Sequence, residues 1–401
     1  MKNSFYPLLF ICSCSNDKAN PTDTSQIQSP TEDTEPVPFA CTYVEAPNHG
    51  SPGTVEFGVE IVADNLFTPW GLDWLPNGDM LLTERDGVIS RISNGVVHQI
   101  ANAPIVESGE GGLLGLAIDP EFEINRSFYV YYTTAKNGSV VNRVSRWELS
   151  DDGNSATEEA VIVDDIAARQ FHNGGRLRIG PDRKLYIGTG DAGQPDYSQD
   201  PTNLAGKILR VNIDGSIPDD NPFPGEATWI LGIRNTQGFD WRHDDKMLIT
   251  DHGPSGIPNE NGRSDHDEVS LAAGGENLGW PNIYACEEEE GFVTPSITWG
   301  KALPPGGAAM YRGTEIPEWE GDLIIGVLGI DETTPQLHRL RVNTEGNIER
   351  SEVYLQGDNG YGRLREVVMG PDGGLYVTTS NCDGRGTCGQ GDMILRLGAA
   401  N

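Results

Sequence analysis

Short runs that alternate apolar and polar residues, separated by tight-turn residues, recur along this chain from Trp70 to near its end. They are "WGLDWLPNGDMLLTERDGVISRIS" from Trp70, "LGLAIDPEFEINRSFYVYYT" from Leu114, "GRLRIGPDRKLYIGTGD" from Gly175, "QGFDWRHDDKMLITDHG" from Gln237, "AAMYRGTEIPEWEGDLIIGVL" from Ala308 and "LREVVMGPDGGLYVTTS" from Leu364. Each reads as a strand, a turn rich in Pro, Asp, Asn or Gly, a second strand ending in small or hydroxyl residues, and a third strand with a basic residue. A period of two puts the apolar side chains on one face of each strand, and no segment carries a long helical stripe. Six strand meanders repeated radially predict an all-β fold, a six-bladed β-propeller around a central channel. A β-sandwich would use similar strands but has no reason to repeat six times.

Successive copies begin 44 to 71 residues apart. That exceeds a minimal blade, so the surplus falls in loops. The longest insertions, residues 193–205 and 253–282, are the places where a site is expected. A ring also has to close, and "TVEFGVEIVADNL" at residues 54–66 is expected to add an outer strand to the last blade.

Ahead of the blades the pattern changes. "MKNSFYPLLFICSCSNDK" has one Lys, an apolar run from Phe5 to Ile11 and then small residues. It is too short to span a bilayer as a helix and has the form of a bacterial export signal over residues 1–14, ending in a lipoprotein box at Cys14. Residues 15–40 are poor in apolar side chains and rich in Ser, Thr, Pro and acids, a composition that predicts a disordered tether to a domain spanning 41–401. Export to the periplasm or cell surface as a lipoprotein is therefore expected, with membrane attachment through lipid on Cys14. Four further cysteines, an even number in an exported chain, favour disulfides. "CDGRGTC" would close a small loop between Cys382 and Cys388, leaving Cys41 for Cys286; a zinc site is the rival, but it lacks a second CxxC-like pair.

The chain carries 28 basic and 60 acidic residues, a net charge of −32. Such a balance excludes a nucleic-acid binder, which needs a basic face for phosphates. The glycine-rich stretches "GEGG", "GPDGG" and "GGENLG" open no helix after a strand, so no dinucleotide or P-loop site follows.

Several motifs occur in one order: "PWGLDWLPNGDMLLTERDG", "GEGGLLGLAIDP", "HNGGRLRIGPDRKLYIGTGD", "LAGKILRVNIDG", "GIRNTQGFDW", "DHGPSG" and "DEVSLAAGGENLGWP". Over about residues 55–398 the chain resembles the soluble quinoprotein glucose and aldose sugar dehydrogenases, the glucose/sorbosone dehydrogenase family. The resemblance implies a six-bladed propeller that binds pyrroloquinoline quinone (PQQ) and Ca2+ at the mouth of its channel and oxidises the C1 hydroxyl of aldoses to lactones. The implied partners are an aldose and an electron acceptor of unspecified kind, on a monomer or homodimer.

By the same resemblance His172 is the general base, a neutral imidazole that takes the hydroxyl proton while hydride leaves the same carbon. Gly174 and Gly175 would let the backbone approach a flat ligand. Arg234 and Asn235 would lie beside the quinone oxygens, Arg234 stabilising developing negative charge. Arg363 and Arg365, two apart on an extended strand, would clamp cofactor carboxylates. Glu110 stands where the family uses a Gln, and a carboxylate there would repel the cofactor unless protonated or paired. The main-chain carbonyls of Gly253 and Pro254 would hold a calcium beside the cofactor, and Glu268 with the main chain of Leu278 a second one. Asp265 and Asp267 add carboxylates to the same insertion and favour calcium over zinc.

Two departures bear on activity. Phe171 replaces an Asp that glucose dehydrogenases place before the base, and "GVLGIDETTPQL" offers no Lys where the family has one that contacts the cofactor. They keep open a ligand- or protein-binding propeller, related to the Hedgehog-interacting one or a family member without turnover. A calcium-dependent lactonase is a further alternative, but it would need carboxylates where this chain has arginines.

Overall fold

The computed structural model describes residues 38–47, 49–357 and 360–400. The export signal, Cys14 and tether residues 15–37 lie outside the described residues.

Six four-stranded antiparallel units form the blades. Their innermost strands are Pro69–Trp74, Leu113–Ile118, Leu177–Ile179, Gly238–Trp241, Pro305–Met310 and Leu364–Met369, so every predicted copy begins at or within two residues of an innermost strand. In blade 3, for example, Leu177–Ile179 pairs with Leu185–Gly188, which pairs with Ile208–Val211 and then Thr228–Ile230. Adjacent blades pack face to face through the apolar side of each alternating strand. Between blades 2 and 3, Tyr129, Tyr131, Val144, Leu177, Ile187 and Leu209 form one fully buried cluster; each large aliphatic in it contributes about 1.5–3 kcal/mol. Innermost strands approach so closely that a Cβ on Gly115 would stand 2.1 Å from the Gly175 carbonyl oxygen.

The ring closes as the alternation predicts. Strand Gly58–Leu66 pairs antiparallel with Asp392–Gly398, the third strand of blade 6. Buried Asp392 fastens the junction: its carboxylate accepts the N–H groups of Thr68 at 3.0 Å and Cys382 at 3.1 Å and the Thr379 hydroxyl at 2.7 Å. Two short strands escape the period-two reading. Thr42–Val44 adds a parallel fifth strand to blade 4, and Ser51–Pro52 does the same for blade 5. The first of these is stitched on by the Cys41–Cys286 disulfide, and the second disulfide joins Cys382 to Cys388.

The channel interior is polar. Glu366, fully buried, accepts from Arg176 and, at 2.7 Å, from Arg178. The Arg176 guanidinium also lies 4.5 Å over the Trp70 ring, and its Nη2 has no hydrogen-bond partner among the described residues.

The two disulfides close loops of very different length, with sequence separations of 245 and 6. Chain entropy sets ceilings of about 5 and about 2 kcal/mol on their contributions. The pair Cys41→Ser/Cys286→Ser should therefore lower the denaturant midpoint clearly more than Cys382→Ser/Cys388→Ser, as measured by urea unfolding.

Candidate functional site

His172 stands in the link between blades 2 and 3, with a left-handed backbone of φ 58°. Its Nδ1 is 2.7 Å from Asp191 Oδ1, while Asp191 Oδ2 accepts the Trp280 indole N–H at 2.9 Å. Gly193 N–H completes the carboxylate's shell at 2.7 Å. An ionised carboxylate only accepts, so Nδ1 carries the proton and Nε2 keeps its lone pair. No described residue hydrogen-bonds that Nε2. The Phe171 ring packs edge-on against the imidazole with centroids 4.8 Å apart, and the His172 N–H donates to Glu110 Oε2 at 2.9 Å. Glu110 thus uses one oxygen to hold the main chain of His172.

The two glycines after His172 serve a different purpose from the one expected. A Cβ on Gly174 would come within 2.6 Å of the Thr189 main chain, and one on Gly175 within 2.7 Å of the Leu114 side chain. The space they leave is taken by neighbouring strands, not by a ligand.

A cavity of about 440 Å³ is lined by Glu110, Gly253, Pro254, Arg363 and Arg365; His172 is not in its lining and is joined to it through Glu110. Arg363 spends its guanidinium on the carbonyls of Leu328, Gly329 and Ser380 at 3.0 to 3.2 Å. Arg365 donates to Asp383 Oδ2 at 2.6 Å, Gln237 Oε1 at 2.9 Å and Ser380 Oγ at 2.9 Å. Burial, reinforced by the neighbouring Arg365, lowers the Arg363 pKa to about 10, and burial also depresses that of Arg365. Both nevertheless remain charged at neutral pH.

The other expected residues adjoin this cavity instead of lining it. Asn235 is fully buried; its side chain accepts the Gly174 N–H at 2.9 Å, and its amide nitrogen lies 3.4 Å from His252 Nδ1. His252 does line the cavity, and burial drives its pKa down to about 3, so it stays neutral and donates through Nε2 to the Pro305 carbonyl at 2.6 Å. Arg234 faces a second, smaller hollow of about 20 Å³ together with Glu268 and Leu278, and Gly253 and Pro254 line both spaces. There Arg234 pairs with buried Glu260 at 2.6 Å and reaches the His252 carbonyl and Ser255 Oγ, each at 3.0 Å.

The second hollow has the chemistry of a hard-cation site. The Glu268 carboxylate has no hydrogen-bond or ion-pair partner among the described residues. Burial, then the charges of Asp251 and Asp267, push its pKa well above the ordinary value. Asp251, accepting the N–H groups of Arg234 and Asn235 at 2.8 and 2.6 Å, is itself raised to about 7 by burial. An uncompensated carboxylate beside other acids and main-chain oxygens fits Ca2+ better than a softer metal. Among the described residues no cluster of three or more His, Cys, Asp or Glu side chains is poised around a common metal point.

Across residues 66–395 the chain matches the Glucose / Sorbosone dehydrogenase family model. The chain belongs to the glucose/sorbosone dehydrogenase family. It is 30% identical to aldose sugar dehydrogenase YliI of Escherichia coli over 87% of this chain and 95% of that one. It is also 30% identical to quinoprotein glucose dehydrogenase B of Acinetobacter calcoaceticus, over 66% of this chain and 62% of the other. Among solved structures, the PQQ-bound aldose sugar dehydrogenase of Streptomyces coelicolor superposes with a TM-score of 0.74 at 31% identity, covering 86% of this chain and 99% of that one.

Sequence reasoning missed several residues of this family member's site. Asp191, itself held by Trp280, orients His172, Glu260 holds Arg234, and Asp383 holds Arg365. The "GTGD" and "CDGRGTC" segments were visible, but nothing in them says which distant side chain each Asp meets. Arg385, from the second segment, also lines the main cavity.

The Arg234–Glu260 pair leaves about 2% of either side chain exposed. Removing one partner of such a pair leaves a buried charge alone, at a cost of about 3–5 kcal/mol. Glu260→Gln should lose stability in that range by urea unfolding, whereas Arg183→Gln, removing a surface pair 3.4 Å from Glu121, should change it by less than about 1 kcal/mol.

Proposed function

We propose that this protein is an exported, lipid-anchored aldose dehydrogenase dependent on PQQ and calcium. The observation that carries the reading is the ordered chain Trp280–Asp191–His172, with a free Nε2, next to a cavity lined by guanidiniums. The lining sets Arg363, Arg365 and Arg385 against Glu110, Asp265, Asp267 and Asp383, so an anionic, planar quinone would lie toward the arginines, and the volume is in the range of small-molecule sites. When bound, PQQ supplies a two-electron acceptor for the hydride at C1 of the sugar.

The remaining work falls to the chain's own residues. His172 Nε2 takes the proton of the C1 hydroxyl. Asp191 keeps Nδ1 protonated before that step and stabilises the imidazolium after it. Glu110 holds the loop that carries the base, which gives its carboxylate a place without facing the cofactor bare. Arg363 and Arg365 hold carboxylates with guanidiniums already fixed by protein acceptors, so little reorganisation is required. Arg234 and Asn235 stand behind them, Arg234 offsetting negative charge. The Gly253 and Pro254 carbonyls hold one calcium, and Glu268 with the Leu278 main chain a second.

A second reading, binding without turnover, draws on Phe171 in place of an acid and on the absence of Lys from residues 326–337. One assay separates the two. Apo protein given PQQ and calcium should reduce an artificial dye with a broad range of aldoses; saturable PQQ binding without dye reduction by any sugar would leave only the binding reading.

His172→Ala should lower kcat by about 10²–10⁴ while PQQ affinity, measured by fluorescence titration, stays near wild type. Asp191→Asn should lower kcat by about 10–100-fold through the wrong imidazole tautomer.

Glu268→Gln should reduce the rise in Tm that calcium gives the apo protein, leaving the part due to the site at Gly253 and Pro254. It should also raise the metal-free Tm slightly, since a buried, repelled carboxylate is removed.

A further inference from the structure

Three guanidiniums line the main cavity: Arg363, Arg365 and Arg385. Arg365 uses all three of its nitrogens on protein acceptors, and Arg363 uses Nε and Nη1, with Nη2 making no hydrogen bond among the described residues. Arg385 makes no hydrogen bond and no ion pair among the described residues. It is the cavity's one cation, within that lining, whose donors are all available to a ligand.

Its placement is nevertheless restrained. Arg385 sits on the loop closed by the Cys382–Cys388 disulfide, with Cα atoms 4.1 Å apart. Asp383 of this loop pairs with Arg365 at 2.6 Å and with Arg85 at 3.3 Å. Cys382 N–H donates to Asp392 Oδ2 at 3.1 Å, and Gly386 N–H to the Asp383 carbonyl at 2.9 Å. The tip lies against the second arginine as well, since a Cβ on Gly384 would be 3.6 Å from Arg363 Nη2. A donor on so short and anchored a loop loses little backbone freedom on binding.

The blade 5 part of the lining, whose Leu328 and Gly329 carbonyls accept from Arg363, has no such group. Residues 326–337 contain no Lys, and their contribution to the lining is Leu328, Gly329 and Ile330. Lys301 is outside the lining and pairs with Asp331 at 3.7 Å.

We propose that Arg385 is the ligand-capturing cation of this site: it binds a carboxylate of the molecule that fills the cavity, and the Cys382–Cys388 loop sets its position. The proposal rests on the quinoprotein reading above. It supplies from blade 6 the positive charge that blade 5 lacks. The carboxylate can come from PQQ itself or from an acidic sugar, and the planar fork of Arg suits either.

The test is a PQQ titration of the calcium-saturated apo protein, followed by tryptophan fluorescence, with dye assays as a second arm. Because Arg385 touches no protein partner, Arg385→Gln should keep the wild-type Tm. If the cofactor is the source, this variant should weaken PQQ binding roughly tenfold or more, with Arg385→Lys intermediate and Cys382→Ser/Cys388→Ser also weakened. If the substrate is the source, PQQ binding should hold and the KM for glucuronate should rise roughly tenfold relative to that for glucose. Wild-type affinity for PQQ together with an unchanged KM ratio in Arg385→Gln overturns the role of Arg385 alone. No PQQ binding by the wild-type protein overturns the quinoprotein reading and this inference together.

Discussion

Closure of the ring is the constraint on which the rest of this structure depends. Strand Gly58–Leu66 comes from the beginning of the fold and its partner Asp392–Gly398 from the end, so neither blade 6 nor the ring is complete until the two meet. Asp392 marks the meeting point, because its buried carboxylate holds Thr68, just past the closing strand, and Cys382, in the loop that reaches the cavity. Once the ring is shut, loops from positions as far apart as Glu110, His252, Arg363 and Arg385 line one cavity, and His172 is tied to it through Glu110. The disulfide at Cys41 and the edge strands on blades 4 and 5 brace the ring from outside.

The mouth and channel solve an electrostatic problem peculiar to so acidic a chain. Buried guanidiniums cost several kcal/mol each unless paired and hydrogen-bonded, and nearly all of them here have a dedicated acceptor. Arg176 and Arg178 share Glu366, Arg234 has Glu260, and Arg365 has Asp383. The cost is not wholly offset: burial still lowers the Arg176 pKa to about 9 and that of Arg363 to about 10. The result is positive charge fixed in place before any ligand arrives, beside a small hollow where Arg234 is paired with Glu260 and Glu268 has no ion-pair partner among the described residues. Anion on one side of the Gly253–Pro254 wall and cation on the other is the division that this distribution favours.

The base is arranged by the same logic. Asp191 meets the imidazole, the Trp280 indole and the Gly193 main chain at once, so the carboxylate that orients His172 is itself held at two further points. Phe171 blocks a further face. Beside the imidazole this chain has an aromatic wall where an acid was expected, so among the described residues the single carboxylate that meets the His172 ring is that of Asp191.

Much of this was legible in the residues alone. The six strand-turn-strand copies identified the blades, and the alternation at residues 54–66 the closing strand, because period-two burial is a local property of a half-buried strand. The cavity-lining residues Glu110, Gly253, Pro254, Arg363 and Arg365 were legible through ordered motifs. The strands at 42–44 and 51–52 were not: two or three residues are too few to show a period, and their pairing depends on an edge that exists only once blades 4 and 5 have formed. Gly174 and Gly175 were misread for a related reason, since what fills the space beside a glycine is set by strands distant in the chain. By itself the sequence determined the kind and number of strands, the turns between them and the stock of charged groups, all of which are local or compositional. Tertiary structure alone decided which acid meets which base, why Arg234 faces the smaller hollow, and that Arg385 reaches the cavity with its donors unspent, because those pairings join residues that only ring closure brings together.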